Sequence, residues 1–209
     1  MSLSSTEIYE SRTFTPGPSL MNNEPRTLGC LVQIDSESFV IALGKNGAGQ
    51  RDRIFMQHDL TTETWTDLPK PTKSRSGAIC GFVNGQKRRI QCLDPLFITF
   101  HIFHPGNVIL SGGYPFSLVT EVYSFDTNMW TIGPQLPGHH TAGQNFAFGN
   151  DSILMVGGDS TVGHIAFINE FKATGSTGSN GVWSTRTEVL PREGKNMAGL
   201  FVPNELIIC

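Results

Sequence analysis

A short pattern that recurs along this chain constrains its fold more than any other feature. Val108–Gly113 (VILSGG) and Ile153–Gly158 (ILMVGG) are near copies, 45 residues apart, and Phe39–Gly44 (FVIALG) is a weaker third copy. A tryptophan and then a proline-containing stretch follow each copy; the tryptophans are Trp65, Trp130 and Trp183. A period of roughly 45–50 residues is typical of arrays in which each repeat is one small antiparallel sheet. The repeat therefore predicts a series of similar β units.

Within a repeat, the residue pattern predicts four short strands, which we name a to d from the inside outward. Thr141–Gly149 reads as strand a, and Ser152–Val156 is a continuous apolar strand b that a glycine pair ends. Upstream of these two strands, Val119–Phe125 alternates apolar and polar side chains, as a half-buried strand c should. Met129–Ile132 is a short strand d that carries Trp130, and the prolines that follow it leave the sheet because proline cannot donate to a ladder.

Paired glycines, an aromatic residue, a tryptophan seven residues later and then a proline stretch with a basic residue resemble the kelch repeat. In the first copy Gly44 keeps one glycine, Lys45 replaces the other and His58 takes the aromatic position; in the last copy Phe171 takes that position. The resemblance covers nearly the whole chain and implies a kelch-type β-propeller of four-stranded antiparallel blades, with the tryptophans packed between blades. The residues that carry the motif are Gly44, Trp65, Gly112, Gly113, Tyr123, Trp130, Gly157, Gly158 and Trp183.

The repeats predict one propeller region, 1–209, with about four blades' worth of chain: three whole units and two halves. The opening half supplies strands c and d (Thr6–Tyr9 and Phe14–Thr15), and the closing half supplies a strand b, Leu206–Cys209. The halves either pair and close a four-bladed ring or belong to an arc of a larger propeller, and kelch propellers usually have more than four blades. The predicted units are 1–26 (partial), 27–75, 76–140 with an insert at 89–106, 141–196, and 197–209 (partial).

The insert 89–106 breaks the period. Its sequence, RIQCLDPLFITFHIFHPG, is apolar and aromatic, unlike a solvated loop, and Phe97–Phe103 has high β propensity and little charge. Three interpretations remain open: an extra strand that covers a propeller face or partner site, a hydrophobic peptide that docks another protein, or translated intron sequence whose removal restores the usual spacing. His101 and His104 lack the acidic and cysteine neighbours of a metal site, so no metal is expected here.

Charge and composition narrow the class of protein. The net charge of -3 and a pI near 6.0 give no electrostatic footprint for nucleic acid, and no run of apolar residues is long enough to cross a membrane. The first residues lack the features of a signal peptide, which predicts a cytoplasmic protein. Four cysteines lie far apart with no CxxC pair, which predicts free thiols in a reducing compartment; they are Cys30, Cys80, Cys92 and Cys209.

These features favour a non-enzymatic protein-binding scaffold. By the kelch resemblance, the b–c loops (45–53, 114–118, 159–163) and the d–a loops (69–76, 134–140, 191–196) share one face and contact the partner. Their basic side chains predict that the partner presents an acidic peptide or loop, held by charge-assisted hydrogen bonds. Alternatively, Arg26 and Arg75 are structural and pair with a carboxylate or carbonyls of a neighbouring blade. The predicted partner-binding residues are Arg51, Arg53, Lys73, Arg75, His139, His140, Arg192 and Lys195.

The alternative function is a propeller enzyme of the oxidase or isomerase type, with copper or an acid/base pair in the central funnel. Tyr9, Tyr114 and Tyr123 occupy strand or loop positions without a matching set of histidines and cysteines. The sequence also contains no G-x-S-x-G, H-E-x-x-H or phosphate-binding loop. We therefore predict no catalytic residue, no cofactor and no metal ligand.

Overall fold

In the part of the chain that the structure describes, the regular structure is entirely β. A computed structural model describes residues 7–10, 13–16, 25–35, 37–83, 88–89, 101–102, 106–149, 151–174 and 180–194. Over these ranges no helix occurs, and hence none that is long and apolar enough to cross a membrane. The strands are β1 (Glu7–Glu10), β2 (Thr13–Pro16), β3 (Cys30–Gln33), β4 (Ser38–Ala42), β5 (Phe55–Asp59), β6 (Thr64–Asp67), β7 (Ile79–Val83), β8 (Arg88–Arg89), β9 (His101–Ile102), β10 (Asn107–Ser111), β11 (Thr120–Ser124), β12 (Met129–Ile132), β13 (Gln144–Phe148), β14 (Ser152–Val156), β15 (Asp159–Ser160), β16 (Gly163–His164), β17 (Phe167–Thr174) and β18 (Asn180–Val189).

Three four-stranded antiparallel sheets follow one another along the chain. Sheet 1 has the order β3-β4-β5-β6, sheet 2 the order β7-β10-β11-β12, and sheet 3 the order β13-β14-β17-β18. The prediction of an all-β chain built from four-stranded antiparallel units is therefore confirmed. The predicted strands Ser152–Val156 and Met129–Ile132 are observed with those bounds. The small pair β15–β16 lies in the b–c connection of sheet 3.

The partial units and the insert are described only in part. The predicted N-terminal strands c and d are observed as the hairpin β1–β2, in which Tyr9 lies opposite Phe14. Residues 88–89 and 101–102 pair as β8–β9 at the two ends of the insert. The rest of the insert up to 105 and the partial unit 197–209 lie outside the described residues, so the interpretations of these segments stay predictions.

The register between strands c and d explains the spacing of the aromatic residues. Tyr123 on β11 lies directly opposite Trp130 on β12, and His58 lies opposite Trp65 in sheet 1. Sheet 3 keeps the same pairing although its c–d connection is five residues longer, because Phe171 still lies opposite Trp183. Directly opposed side chains on one face of an antiparallel pair are in contact, so each sheet carries a large aromatic pair at the same place.

The core consists of apolar faces pressed between neighbouring sheets. One cluster joins Val40 and Phe55 of sheet 1 to Leu110 and Tyr123 of sheet 2, and Trp130 packs against it. The indole Nε1 of Trp130 donates to the Pro69 carbonyl oxygen of the preceding unit at 2.5 Å. A second cluster joins Ile109 and Val122 of sheet 2 to Ile153, Phe171 and the half-buried Trp183 of sheet 3. These contacts hold the sheets face to face.

Cys30 and Cys80 form a disulfide, which corrects the prediction of four free thiols. Cys30 begins β3 and Cys80 lies in β7, the innermost strands of sheets 1 and 2, and their Cα atoms are 6.0 Å apart. Their separation of 50 residues is about one repeat, so the first strands of successive units become neighbours in space. Distance along the chain is therefore a poor guide to pairing in a repeat array. Cys92 and Cys209 lie outside the described residues.

Candidate functional site

The b–c loops and the segments that lead into strand a lie on one edge of the three sheets. Backbone hydrogen bonds join Ser76 to Tyr114 in both directions, at 3.1 and 2.8 Å. The same reciprocal pairing joins Thr141 to Asp159 at 2.9 and 2.8 Å. We call this edge the loop face; it consists of the b–c loops 45–53, 114–118 and 159–163 and the described parts of the d–a loops, 69–76, 134–140 and 191–194.

Glycine holds each b–c loop against the next unit. The amides of Gly44, Gly113 and Gly158 donate to the carbonyl oxygens of Arg75, His140 and Gly194 at 3.0, 2.8 and 2.6 Å, respectively. Each glycine has a φ between 95° and 111°, and a Cβ there would lie within 3.0 Å of neighbouring atoms. The three glycines are therefore required for the close approach of adjacent units.

The backbone angles and hydrogen bonds of these glycines also correct the alignment of the first repeat. Gly44 corresponds to Gly113, the second glycine of its pair, because both have φ near 95–98° and make the same bond. The residue in the place of the first glycine is consequently Leu43, with φ 60°, and Lys45 lies one position beyond the pair.

Arg75 belongs to the interior, which corrects its assignment to the partner surface. It is 1% exposed and donates through Nη1 to the carbonyl oxygens of Gly112 and Val119, both at 3.0 Å. Its Nη2 forms a buried ion pair with Glu121. Burial lowers the pKa of the guanidinium, and the neighbouring Glu121 carboxylate opposes that shift. The structural alternative for Arg75, pairing with the neighbouring unit's carboxylate and carbonyls, is the one observed.

Glu121 organises the d–a loop 69–76 and is the residue that sequence reasoning missed. Its side chain is fully buried, and its Oε1 accepts from the Thr72 amide at 2.7 Å and from the Thr72 hydroxyl at 2.6 Å. The other carboxylate oxygen accepts from Arg75, so one side chain fixes both ends of the loop's basic stretch. Little in the sequence signalled this role, because Val119–Phe125 mixes apolar and polar residues and only the fold shows that the Glu121 carboxylate is buried and must find donors.

His140 is likewise interior, so its assignment to the partner surface is corrected too. It is fully buried, and its Nε2 is hydrogen-bonded to the Gly157 carbonyl oxygen. Its Nδ1 lies 3.4 Å from the side-chain nitrogen of Asn169. Burial lowers the pKa of His140 to about 4, against which the Gly157 carbonyl acts. The ring is therefore neutral at physiological pH, and it does not add a charge to the loop face when the pH falls just below 7.

Arg26 occupies the equivalent place in the first unit. Arg26, Arg75 and His140 each precede by two positions a residue with positive φ: Leu28 at 54°, Gly77 at 61° and Ala142 at 53°. The Arg26 guanidinium donates to Asp52 at 3.1 Å. This ion pair fixes the end of the b–c loop 45–53, so the basic position before strand a is structural in all three units.

The remaining predicted partner-binding residues differ in exposure. Arg51, Arg53, Lys73 and Arg192 are exposed, and within the described ranges none of them forms an ion pair. His139 is half-buried and lies against Phe116, with 6.0 Å between ring centroids. Lys195 lies outside the described residues. Uncompensated cations thus concentrate in the b–c loop of sheet 1 and the d–a loop that follows it.

Two aromatic side chains project from the loop face beside these cations. Tyr114 is 48% exposed and Phe116 37% exposed, and their ring centroids are 5.8 Å apart. The Arg51 guanidinium carbon lies 5.0 Å from the Tyr114 ring centroid, a cation–π contact between the b–c loops of two sheets. We call Arg51, Tyr114, Phe116 and His139 the aromatic cluster. Sequence reasoning missed its role, although two aromatic residues in the loop 114–118 were a visible signal.

The inner strands border a cleft that is separate from the loop face. Its volume is about 450 Å³, and its lining mixes apolar Leu31 and Phe82 with polar Gln33, Asp35 and Asn145. Over the described ranges, no three His, Cys, Asp or Glu side chains lie close enough together to hold a metal ion.

The comparisons with known proteins concern the fold. No family model matches the chain, and no curated protein matches it. Among solved structures, the chain is similar to one described as "Structure of YjhT", with a TM-score of 0.63 and 14% sequence identity. The similarity covers 92% of this chain and 67% of that chain. At this identity the likeness shows an all-β fold of four-stranded antiparallel sheets and carries no function.

Proposed function

We propose that this protein is a non-enzymatic, kelch-type β-propeller scaffold that binds a partner protein through its loop face. The observation that carries the proposal is the set of exposed cations without ion pairs, Arg51, Arg53 and Lys73, on loops that buried polar contacts hold in place. Such a surface attracts a negatively charged segment and is ready to form charge-assisted hydrogen bonds with it. Sheet strands are committed to packing, so binding falls to the loops.

The loops are held in fixed positions, which favours recognition over a passive solvated surface. The contacts of Thr72 and Arg75 with Glu121 fix the chain on both sides of Lys73, and the Arg26–Asp52 pair fixes the chain next to Arg51 and Arg53. A binding loop that is already ordered loses less conformational entropy when the partner docks. The overall charge of -3 means that this positive region is local, so it directs a partner to one face.

A charge-reversal experiment tests the proposal. The variant carrying Arg51→Glu, Arg53→Glu and Lys73→Glu should lose its partners in a pull-down from the native source, and wild-type binding should weaken as salt rises. The matched control is Lys172→Glu, an exposed lysine on β17 whose nearest carboxylate, that of Asp151, is 3.9 Å away. If the triple variant folds normally and retains every partner, the loop face is not the binding surface.

A further inference from the structure

We infer that the aromatic cluster is the anchor site of the loop face, and that its ligand is an extended protein segment with an apolar side chain two residues from a carboxylate. The inference rests on the proposed partner binding and specifies its recognition chemistry. It starts from the solvent exposure of Tyr114 and Phe116, two rings that contact each other on the loop face. Tyrosine and arginine that meet in this way are the residue types that most often dominate binding energy at interfaces.

The rings are positioned before any ligand arrives. Tyr114 is held by two backbone hydrogen bonds to Ser76, and Phe116 leans on the half-buried His139. Rigid aromatic side chains supply contact area at a small cost in conformational entropy. An apolar side chain that covers the two rings would therefore bind to a surface that is already formed.

Arg51 supplies the charged half of the site. Its guanidinium carbon lies over the Tyr114 ring, 5.0 Å from the centroid, so the cation stands directly beside the exposed rings. A planar guanidinium in this arrangement binds a carboxylate through two parallel hydrogen bonds. Because the cation and the rings are in contact, the ligand must bring a carboxylate and an apolar group close together.

The dimensions fit an extended peptide. Side chains at positions i and i+2 of a strand point to the same side and are about 7 Å apart. The two rings of the cluster are separated by 5.8 Å, and the Arg51 guanidinium carbon is 5.0 Å from the nearer ring. An apolar residue and an aspartate or glutamate at i and i+2 therefore span the cluster without bending the ligand backbone.

The net charge of -3 favours a protein segment over a single-stranded nucleic acid, which also stacks on aromatic rings. On the loop face itself, Asp52 is paired with Arg26 and Asp159 with His164, so the positive charge available to a ligand is limited to a few exposed cations. Such a surface suits one or two carboxylates better than a continuous chain of phosphates. The nucleic acid is thus an outcome that the test must separate.

The test selects random short peptides displayed on phage against the full chain and then measures the affinity of an enriched peptide for variants. We expect enrichment of an apolar residue two positions from Asp or Glu, and at least about a tenfold loss of affinity for Tyr114→Ala and for Phe116→Ala. Arg51→Gln should cause a similar loss and reduce the salt dependence of binding. The control is Ile132→Ala, since Ile132 is 68% exposed on β12 and lies outside the cluster.

The outcomes separate this inference from the proposed function. If acidic peptides are enriched, lose affinity with the triple charge reversal, yet bind Tyr114→Ala and Phe116→Ala normally, the scaffold function holds and the anchor site is refuted. If no peptide is enriched, the anchor site is refuted, whereas the scaffold function is refuted only if the triple charge-reversal variant also retains every partner in the pull-down. If oligo-thymidylate binds more tightly than any peptide and requires Tyr114 and Phe116, the ligand class is wrong. Circular dichroism and thermal unfolding of each variant show whether it retains the fold.

Discussion

Sheets 2 and 3 fill the same structural position with different chemistry. In sheet 2 the position before strand a holds Arg75, paired with the buried carboxylate of Glu121. In sheet 3 it holds the neutral His140, which faces Asn169. Glu121 lies opposite Leu110, two residues before its glycine pair; Asn169 lies opposite Met155, likewise two residues before its own. The same backbone arrangement therefore accommodates a charged pair in sheet 2 and a neutral pair in sheet 3.

The difference between sheets 2 and 3 shows which contacts depend on the buried charge. Both Arg75 and His140 bond the carbonyl oxygen of the first motif glycine, Gly112 or Gly157, so this bond is the shared structural requirement. Glu121 does more than satisfy Arg75, because it also accepts two hydrogen bonds from Thr72 in the d–a loop. A buried ion pair is a poor source of net stability, but it can fix one conformation. In sheet 2 the ion pair fixes the conformation of the loop 69–76, which carries Lys73.

Removing one charge of the pair should have the largest effect. Arg75→Ala leaves the Glu121 carboxylate buried without its cation, and we expect the free energy of unfolding to fall by about 3–5 kcal/mol. Chemical denaturation monitored by tryptophan fluorescence measures this loss. A loss below about 1 kcal/mol would mean that Glu121 is solvated or protonated in the native protein.

Replacing the residue pair of sheet 2 with the pair found in sheet 3 tests the comparison directly. The double variant with Arg75→His and Glu121→Asn installs the sheet 3 chemistry in sheet 2, and it should recover part of the stability that Arg75→Ala loses. It should also raise the mobility of the loop 69–76, since asparagine offers fewer acceptor positions to Thr72. Amide hydrogen exchange of that loop is the measurement, and unchanged protection would contradict the organising role of Glu121.

Replacing Trp130 and Trp183 tests whether sheets 2 and 3 also differ in the strength of their packing. Trp130 contacts Phe55 and Tyr123, with ring centroids 4.9 and 5.3 Å away, and Trp183 contacts Phe171 at 5.3 Å and donates to the Thr120 hydroxyl at 2.9 Å. Because both are half-buried between sheets, Trp130→Ala and Trp183→Ala should each cost about 3 kcal/mol. Thermal unfolding compares them, and a much smaller loss for one would show that its sheet contact is weak.

Acid should weaken sheet 3 through His140. The unfolded chain binds a proton at this histidine near pH 6.5, whereas burial holds the native pKa at about 4. Stability is therefore complete above pH 6.5 and declines as the pH falls towards 4, by about 2 kcal/mol at pH 5. His140→Gln should flatten this part of the stability profile, while Arg75 does not titrate in the range. Equal pH profiles for wild type and variant would refute the assignment. His58, whose pKa burial also lowers, contributes equally to both proteins.

The smallest expected effect concerns the hydrogen bond from the Thr72 hydroxyl to the Glu121 carboxylate. Thr72→Ala removes one hydroxyl donor to Glu121 and keeps the amide donor, so the free energy of unfolding should fall by about 1 kcal/mol. Thr72→Ser retains the hydroxyl and is the control. An equal loss in both variants would indicate that the methyl group, and not the hydrogen bond, is responsible.

The periodic part of the fold was predictable from the sequence. The repeated β-rich segments and glycine pairs place strands such as Ser152–Val156, because local residue pattern and burial agree there. The opposition of Tyr123 and Trp130 also follows from their constant spacing, since an antiparallel hairpin fixes the register.

The side-chain roles at the loop face were less predictable. Basic residues in loops suggest exposure, but Arg75 and His140 turn inward because the carbonyls of Gly112 and Gly157 need donors at that position. Glu121 sits 46 residues from Arg75, so no local pattern links them. The aromatic cluster likewise assembles from Arg51 and Tyr114, which only the packing of two sheets brings together.

The bond between Cys30 and Cys80 has a topological consequence. It closes the chain from β3 to β7 into a covalent ring that contains the whole of sheet 1. Units built on one pattern can associate in the wrong order while they fold, which is a characteristic failure of repeat proteins. The disulfide keeps the first strands of sheets 1 and 2 beside each other, so these two sheets cannot be assembled out of order. A single peptide cleavage at the exposed turn 60–63 would also leave one covalent molecule, because the disulfide still joins the two pieces.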